Sequence, residues 1–180
     1  MQRIHLTAAG TALAAILSGC ADLLPATQAP VPDTLKLPDS QILALKTQAS
    51  GVQIYQCQPA KDDATCFDWT LKAPEATLLD DAGNAVGKHY AGPSWEAIDG
   101  SKVVGEVKAR DSGPDPAAIP WLLLAVKSSS GNGVLSAVQY VQRLYTVGGK
   151  APAEGCDAQH AGTETRVPYK AAYYFYSPRP

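Results

Sequence analysis

Apolar side chains recur at every second position in run after run of this chain, and Gly, Pro, Asn or Asp closes each run. Residues 51–57 (GVQIYQC) set Val52 and Ile54 against Tyr55 and Cys57, and Phe67, Trp69 and Leu71 alternate with Asp68 and Thr70. A period of two marks a half-buried strand, because successive side chains leave opposite sides of the pleat. Segments 76–79 and 85–90 flank the turn-rich string Asp80-Asp81-Ala82-Gly83-Asn84. Segments 95–98 and 101–108 flank Asp99-Gly100, a pair that tolerates the positive φ angles of a two-residue type I′ turn.

The remaining segments carry the same message less cleanly. Residues 119–127 (IPWLLLAVK) form an unbroken apolar run of strand length, which predicts a strand buried on both faces, Trp121 included. Residues 128–133 (SSSGNG) read as a flexible loop. Val138, Tyr140, Val141, Tyr145 and Val147 tip segment 134–147 to strand, and 167–176 closes the chain with Tyr169, Tyr173, Tyr174, Phe175 and Tyr176. Segment 41–48 suits either a short helix capped by Asp39 or Ser40, or a strand leading into Ser50-Gly51. Two long loops, 109–118 and 148–164, remain for binding. The expectation is an all-β protein: one domain over 39–180, built as a β-sandwich or a partly open barrel with long loops. A chain of 180 residues, 46% hydrophobic and 18% charged, is the right size and composition for that. Its net charge of −2, with no basic stripe, gives no case for nucleic acid as a partner.

Residues 1–20 (MQRIHLTAAGTALAAILSGC) place Arg3 before an uncharged, largely apolar stretch too short to cross a bilayer as a finished helix. The stretch ends in Leu17-Ser18-Gly19-Cys20 and resembles a bacterial lipoprotein signal. In such signals the Cys is acylated and becomes the first residue after cleavage. The resemblance implies lipidation at Cys20, export, and a lipid anchor that makes the membrane a partner. Ala21, rather than Asp, follows Cys20, as in lipoproteins sorted to the outer membrane. Pro25, Pro30, Pro32 and Pro38 then make 21–38 read as a Pro-rich tether.

With Cys20 taken by lipid, Cys57, Cys66 and Cys156 leave one thiol odd. Cys57 with Cys66 would staple two consecutive strands, whereas Cys57 with Cys156 would anchor the 148–164 loop. The longer loop gives the larger stabilisation, about 4–5 kcal/mol in the chain-entropy model, and the shorter forms faster. Several strings of the body, in order, resemble the family known as domain of unknown function 3455: GVQIYQC (51–57), HYAGPSWEAIDGSKVVG (89–105), IPWLLL (119–124), QRLYTVGGKAPAEGC (142–156) and VPYKAAYYFY (167–176). The resemblance spans 39–176 and implies an exported protein of a bacterial and fungal family without an established activity. Some fungal members carry the label malate dehydrogenase, but this chain has no Gly-x-Gly-x-x-Gly after a strand and no βαβ rhythm to place one. Cys57 and Cys156 fall inside family-like strings and Cys66 does not. The resemblance therefore implies a Cys57–Cys156 disulfide.

Few residues carry reactive chemistry. His89 opens HYAGPSW, where it can act as a base or ligand with Trp95 as a stacking platform, or simply end a strand before a Gly92-Pro93 turn. Cys156 and His160 are four apart, a metal-like spacing only if Cys156 stays a thiolate, and a His89 plus His160 site would need carboxylates such as Asp157 or Glu164 to complete it. Ser94 lacks the glycine a nucleophile elbow needs two positions on, since Glu96 stands there. The pairs Asp62-Asp63 and Asp80-Asp81 sit in turns, where neighbouring carboxylates point apart. Trp69, Trp95 and Trp121 would suit a sugar-binding face only if they shared one. No catalytic set, metal or cofactor is assigned. His89, Trp95 and His160 stand as possible ligand-binding residues of a non-catalytic binding or structural module acting on an unknown ligand or envelope partner. The rival is an envelope enzyme, a hydrolase or metal-dependent, centred on His89 and His160, and it requires both imidazoles to meet one carboxylate in one cleft.

Overall fold

A computed structural model describes residues 29–180; the signal with Cys20, and the first part of the tether, lie outside the described residues. Eight antiparallel strands follow one another round a closed barrel in sequence order. They are β1 (Gln41–Pro59), β2 (Phe67–Leu79), β3 (Ala85–Tyr90), β4 (Ser94–Ala97), β5 (Lys102–Asp111), β6 (Trp121–Ser130), β7 (Tyr140–Gly148) and β8 (Glu164–Pro178). Of the two expected architectures the chain adopts the barrel. Closure comes from the long pairing of β1 with β8, from Gln41↔Pro178 to Gln56↔Glu164, which leaves neither terminal strand as a free edge.

The period-two pattern decides what is inside. On β8, Tyr169, Ala171, Tyr173 and Phe175 join the buried core with Ala49, Leu78, Trp95, Val103, Leu124 and Val141. Segment 41–48 resolves as strand, since Leu45, Thr47 and Ala49 face Phe175, Tyr173 and Ala171 across the β1–β8 ladder. Gly51 marks the tightest contact between β1 and β2: a Cβ there would lie 2.1 Å from the Glu75 carbonyl oxygen and 2.5 Å from Ala76 Cα. Only glycine lets the two backbones approach so closely at the bend.

Strand β6 is buried on both faces over Trp121–Leu124, as the apolar run predicts, and emerges to the surface from Lys127 onward. Leu122 and Leu124 join the barrel core, while Trp121 and Leu123 belong to a second cluster with Leu35 and Leu144. The cover for that outer face is the chain that precedes the barrel. Ala29, Val31 and Leu37 pack against this cluster, and a short 3-10 turn, Asp33–Leu35, drives Leu35 to full burial. Gln142 Nε2 donates to the Leu35 carbonyl at 2.6 Å and fastens the turn. The last part of the segment read as a tether is therefore docked on the domain. Apolar residues between the prolines supply the reason, because exposing Trp121 and Leu123 costs more than ordering a few already stiff residues. Leu35→Ala should cost about 2–4 kcal/mol. It should also expose 29–38 to protease before the barrel is cut. Limited proteolysis checks this, and an unchanged cleavage order would show that Leu35 does not hold the segment.

Two local expectations change. The Asp99-Gly100 hairpin is not a two-residue type I′ turn, for Gly100 has φ 83° but Asp99 has no positive φ. Gly100 N–H donates to Ala97 O and Ala97 N–H to Ser101 O, giving a three-residue loop with Gly100 in the left-handed position. Asp99 explains the choice: its carboxylate accepts from Ser101 N–H, Ser101 Oγ and Val134 N–H at 2.6–2.8 Å, tying the turn to the loop after β6. That tie also shortens the strand expected over 134–147. Residues 134–137 fold as turns, Leu135 and Val138 are buried, and β7 begins only at Tyr140. Ser128–Ser130, expected in a loop, instead extend β6 alongside Lys102–Val104.

Candidate functional site

The barrel wall is uneven because β3 and β4 are short. Strand β3 pairs with β2 only over Ala76–Leu79, and β4 meets β5 only at Lys102, Val103 and Val104. Residues 67–75 of β2 and 106–111 of β5 thus have a ladder partner on one side only. Pro74, with no N–H to offer a neighbour, sits in that half-paired stretch. Behind this gap lies a cavity of about 340 Å³. Leu71–Pro74, the Ala91-Gly92-Pro93 turn, Val107 and Arg110 frame it, and buried Trp95, His89, Leu122, Leu124 and Tyr173 form its floor with Arg143.

Each floor residue is placed by a simple rule. Trp95 stands opposite Val103 on β5, and its indole lies over Gly105, where an added Cβ would come 3.0–3.3 Å from the ring. His89, opposite Trp95 on β3, stacks on it with ring centres 4.6 Å apart and planes 13° from parallel. Tyr173 crosses Trp95 edge-on at 5.4 Å. His89 is 3% exposed; its Nδ1 lies 2.8 Å from Ser94 O, a partner that can only accept, so Nδ1 carries the proton. Burial disfavours the imidazolium and drives the His89 pKa down to about 3, so the ring is neutral at physiological pH.

Arg143 brings a charge to this apolar interior. Its Nε and Nη2 donate to Pro120 O at 3.1 and 2.8 Å, and no carboxylate among the described residues forms an ion pair with it. Its influence is felt across the barrel. Burial raises the phenol pKa of Tyr55, Tyr169 and Tyr173, and the guanidinium opposes that rise in all three. Trp95 Nε1, fully enclosed, has no hydrogen-bond partner, and the enclosed Tyr173 hydroxyl lies beside the Tyr169 hydroxyl and the Arg143 guanidinium. The floor is therefore apolar surface with one part-buried cation, Arg143.

The other candidates lie elsewhere. Cys57 and Cys156 form a disulfide that ties the 149–163 loop to β1, with Cα atoms 5.3 Å apart, and Cys66 is free and exposed. Two further bonds dress that loop: Tyr55 OH donates to Gly149 O at 2.6 Å, and Trp69 Nε1 to Glu154 O at 2.9 Å. His160 is exposed on the same loop, its Nδ1 2.7 Å from Asp157 Oδ1, and it does not line the cavity. His89 and His160 thus share no carboxylate. With Cys156 oxidised, the Cys156–His160 spacing has no thiolate to offer, and among the described residues no cluster of three or more His, Cys, Asp or Glu is placed to hold a metal. Trp69 binds a loop, Trp95 floors the cavity and Trp121 packs on the outer face, so the three indoles share no surface.

Of the possible binding residues, the fold unites His89 with Trp95 and leaves His160 apart. Sequence reasoning missed Arg143 and Tyr173. A signal existed for Arg143: it shares the strand phase of Val141, so it is a basic residue on an apolar face.

These features define an up-and-down antiparallel barrel with an apolar, donor-lined cavity entered through its side. The chain belongs to the family described as Protein of unknown function (DUF3455), whose model matches residues 38–177. No curated protein and no solved structure matches it.

Proposed function

We propose that this protein is an exported component of the bacterial cell envelope, lipid-anchored to the outer membrane, and that it works as a non-catalytic barrel. It takes a small, mainly apolar ligand through the gap between β2 and β5. The cavity carries the reading. At about 340 Å³ it falls at the low end of small-molecule sites, with apolar walls and a few convergent polar groups. Its mouth is framed by half-paired strand edges and a glycine-proline turn, which can part without breaking the β1–β8 closure. Catalysis at His89 and His160 is not part of the proposal, since the two rings meet different partners.

Binding is tested with a neutral apolar reporter, N-phenyl-1-naphthylamine, whose emission should rise on mixing with the purified protein. Ala73→Trp, which crowds the mouth from the half-paired edge of β2 and leaves the core intact, should abolish the rise with the circular dichroism unchanged. Equal emission from wild type and variant would place the dye elsewhere and sink the cavity reading. Anchoring is tested separately: Cys20→Ser should move the protein from the membrane fraction to the soluble one, and persistence in the membrane would remove the lipid from the proposal.

A further inference from the structure

We infer that the cavity's ligand is a small carboxylic acid with an apolar body, its carboxylate held by Arg143 beside Tyr173 and Trp95. This rests on the binding reading above and specifies the chemistry of the same site.

Three observations converge. The charged side chains lining the cavity are Lys72, Arg110 and Arg143; none of the lining residues is acidic. Lys72 is engaged by Glu164, whereas Arg110 and Arg143 have no ion-pair partner among the described residues. Arg143 spends two N–H groups on a single carbonyl oxygen, that of Pro120, and a guanidinium has five. A part-buried guanidinium set against apolar walls, with N–H groups to spare and no carboxylate beside it, favours an anion in the cavity.

The buried polar atoms on the floor point the same way. Trp95 Nε1 can only donate and has no partner, and the Tyr173 hydroxyl lies beside the Arg143 guanidinium and the Tyr169 hydroxyl. His89 has already spent its one proton on Ser94 O. An acceptor with several lone pairs satisfies this set, and a second donor does not. The planar fork of Arg matches a carboxylate in two parallel hydrogen bonds, which a single guanidinium does better than it neutralises a bulky phosphodiester. The apolar body follows from the rest of the lining, where Leu71, Pro74, Val107, Leu122 and Leu124 would enclose a chain or ring.

Calorimetric titration of the purified protein at neutral pH with octanoate, 1-octanol and octylammonium tests this without any variant. The expected order is octanoate tightest, octanol weaker by at least about tenfold, and octylammonium weakest, as one charge-assisted pair implies. Arg143→Met keeps the apolar stem and removes the charge. It should weaken octanoate by about tenfold or more and leave octanol unchanged. Octanol binding as well as octanoate, in wild type and variant alike, would overturn the carboxylate while leaving the binding cavity standing. If none of the three binds, the cavity reading itself falls, and this inference with it.

Discussion

Cys156→Ala should lower the melting temperature by about 10 °C or more, and Cys66→Ala should leave it nearly unchanged. The disulfide spans 99 residues, nearly the whole barrel from β1 to the loop before β8. In the chain-entropy model a loop of that length restricts the unfolded chain by about 4–5 kcal/mol. Each kcal/mol moves the midpoint of a domain this size by about 2–4 °C. Local contacts add to the loss, because Tyr55, Trp69 and Cys57 all hold the 149–163 loop from the β1–β2 side. Cys66 is exposed in the β1–β2 connection and has no such role. Thermal melts of the two variants, and of wild type with reductant, make the comparison. A larger loss from Cys66→Ala would mean that the local bridge forms in solution instead. The same bond explains why the chain suits an oxidising compartment, although it does not by itself name one.

Stability should fall as the pH drops from about 6.5 toward 4.5, and His89→Gln should flatten that slope. The folded protein holds His89 neutral, with a pKa of about 3 against an ordinary 6.5. Between those values the unfolded chain binds a proton that the folded chain refuses. Stability therefore rises with pH across the window and is fully present above 6.5. The slope is about 1.4 kcal/mol per pH unit, so roughly 2–3 kcal/mol should be lost between pH 6.5 and 4.5. Paired carboxylates such as Asp99 and Asp80, whose pKa values lie below the ordinary range through hydrogen bonds from their turns, act only at lower pH. Urea midpoints at half-unit pH steps provide the measurement. His89→Gln lowers overall stability through the lost stacking on Trp95, so the slope and not the level is the readout. His160→Gln, on the exposed loop, is the control. A variant slope equal to wild type would show that His89 takes up its proton in the folded state.

How much of this was legible beforehand depends on the range of the interaction responsible. The strand runs were readable because the alternation in 51–57, 67–71 and 167–176, and the turn string between 76–79 and 85–90, are local signals. The hairpin at Asp99-Gly100 was readable as a hairpin but not as its type. Its geometry depends on a bond from the Asp99 carboxylate to Val134 N–H, 35 residues away. Segment 134–147 read as one strand because its residues favour β structure, yet burial of Leu135 and Val138 bends its first part into turns. The pairing of Cys57 with Cys156 came from the family-like strings and not from spacing, which left both partners open.

The candidate site divides the same way. His89 and Trp95 were visible as unusual residues in one short string, and register places them directly opposite each other. Arg143 and Tyr173 lie on β7 and β8, far along the chain, and pair across those strands. They reach the cavity only because the ring closes. His160 was suggested by its neighbour Cys156, and oxidation of that cysteine leaves it on an outer loop.

The amino-acid order alone settled the all-β character, the position of most strands and the burial of both faces at the start of β6, because side-chain alternation and apolar content act within a few residues. Closure of β1 on β8, the docking of Leu35 over Trp121, and the gap that opens onto an unpaired Arg143 were decided by the tertiary structure. Each of these is a balance between surfaces that meet only after the chain has come round on itself, and no local pattern encodes which surface that will be.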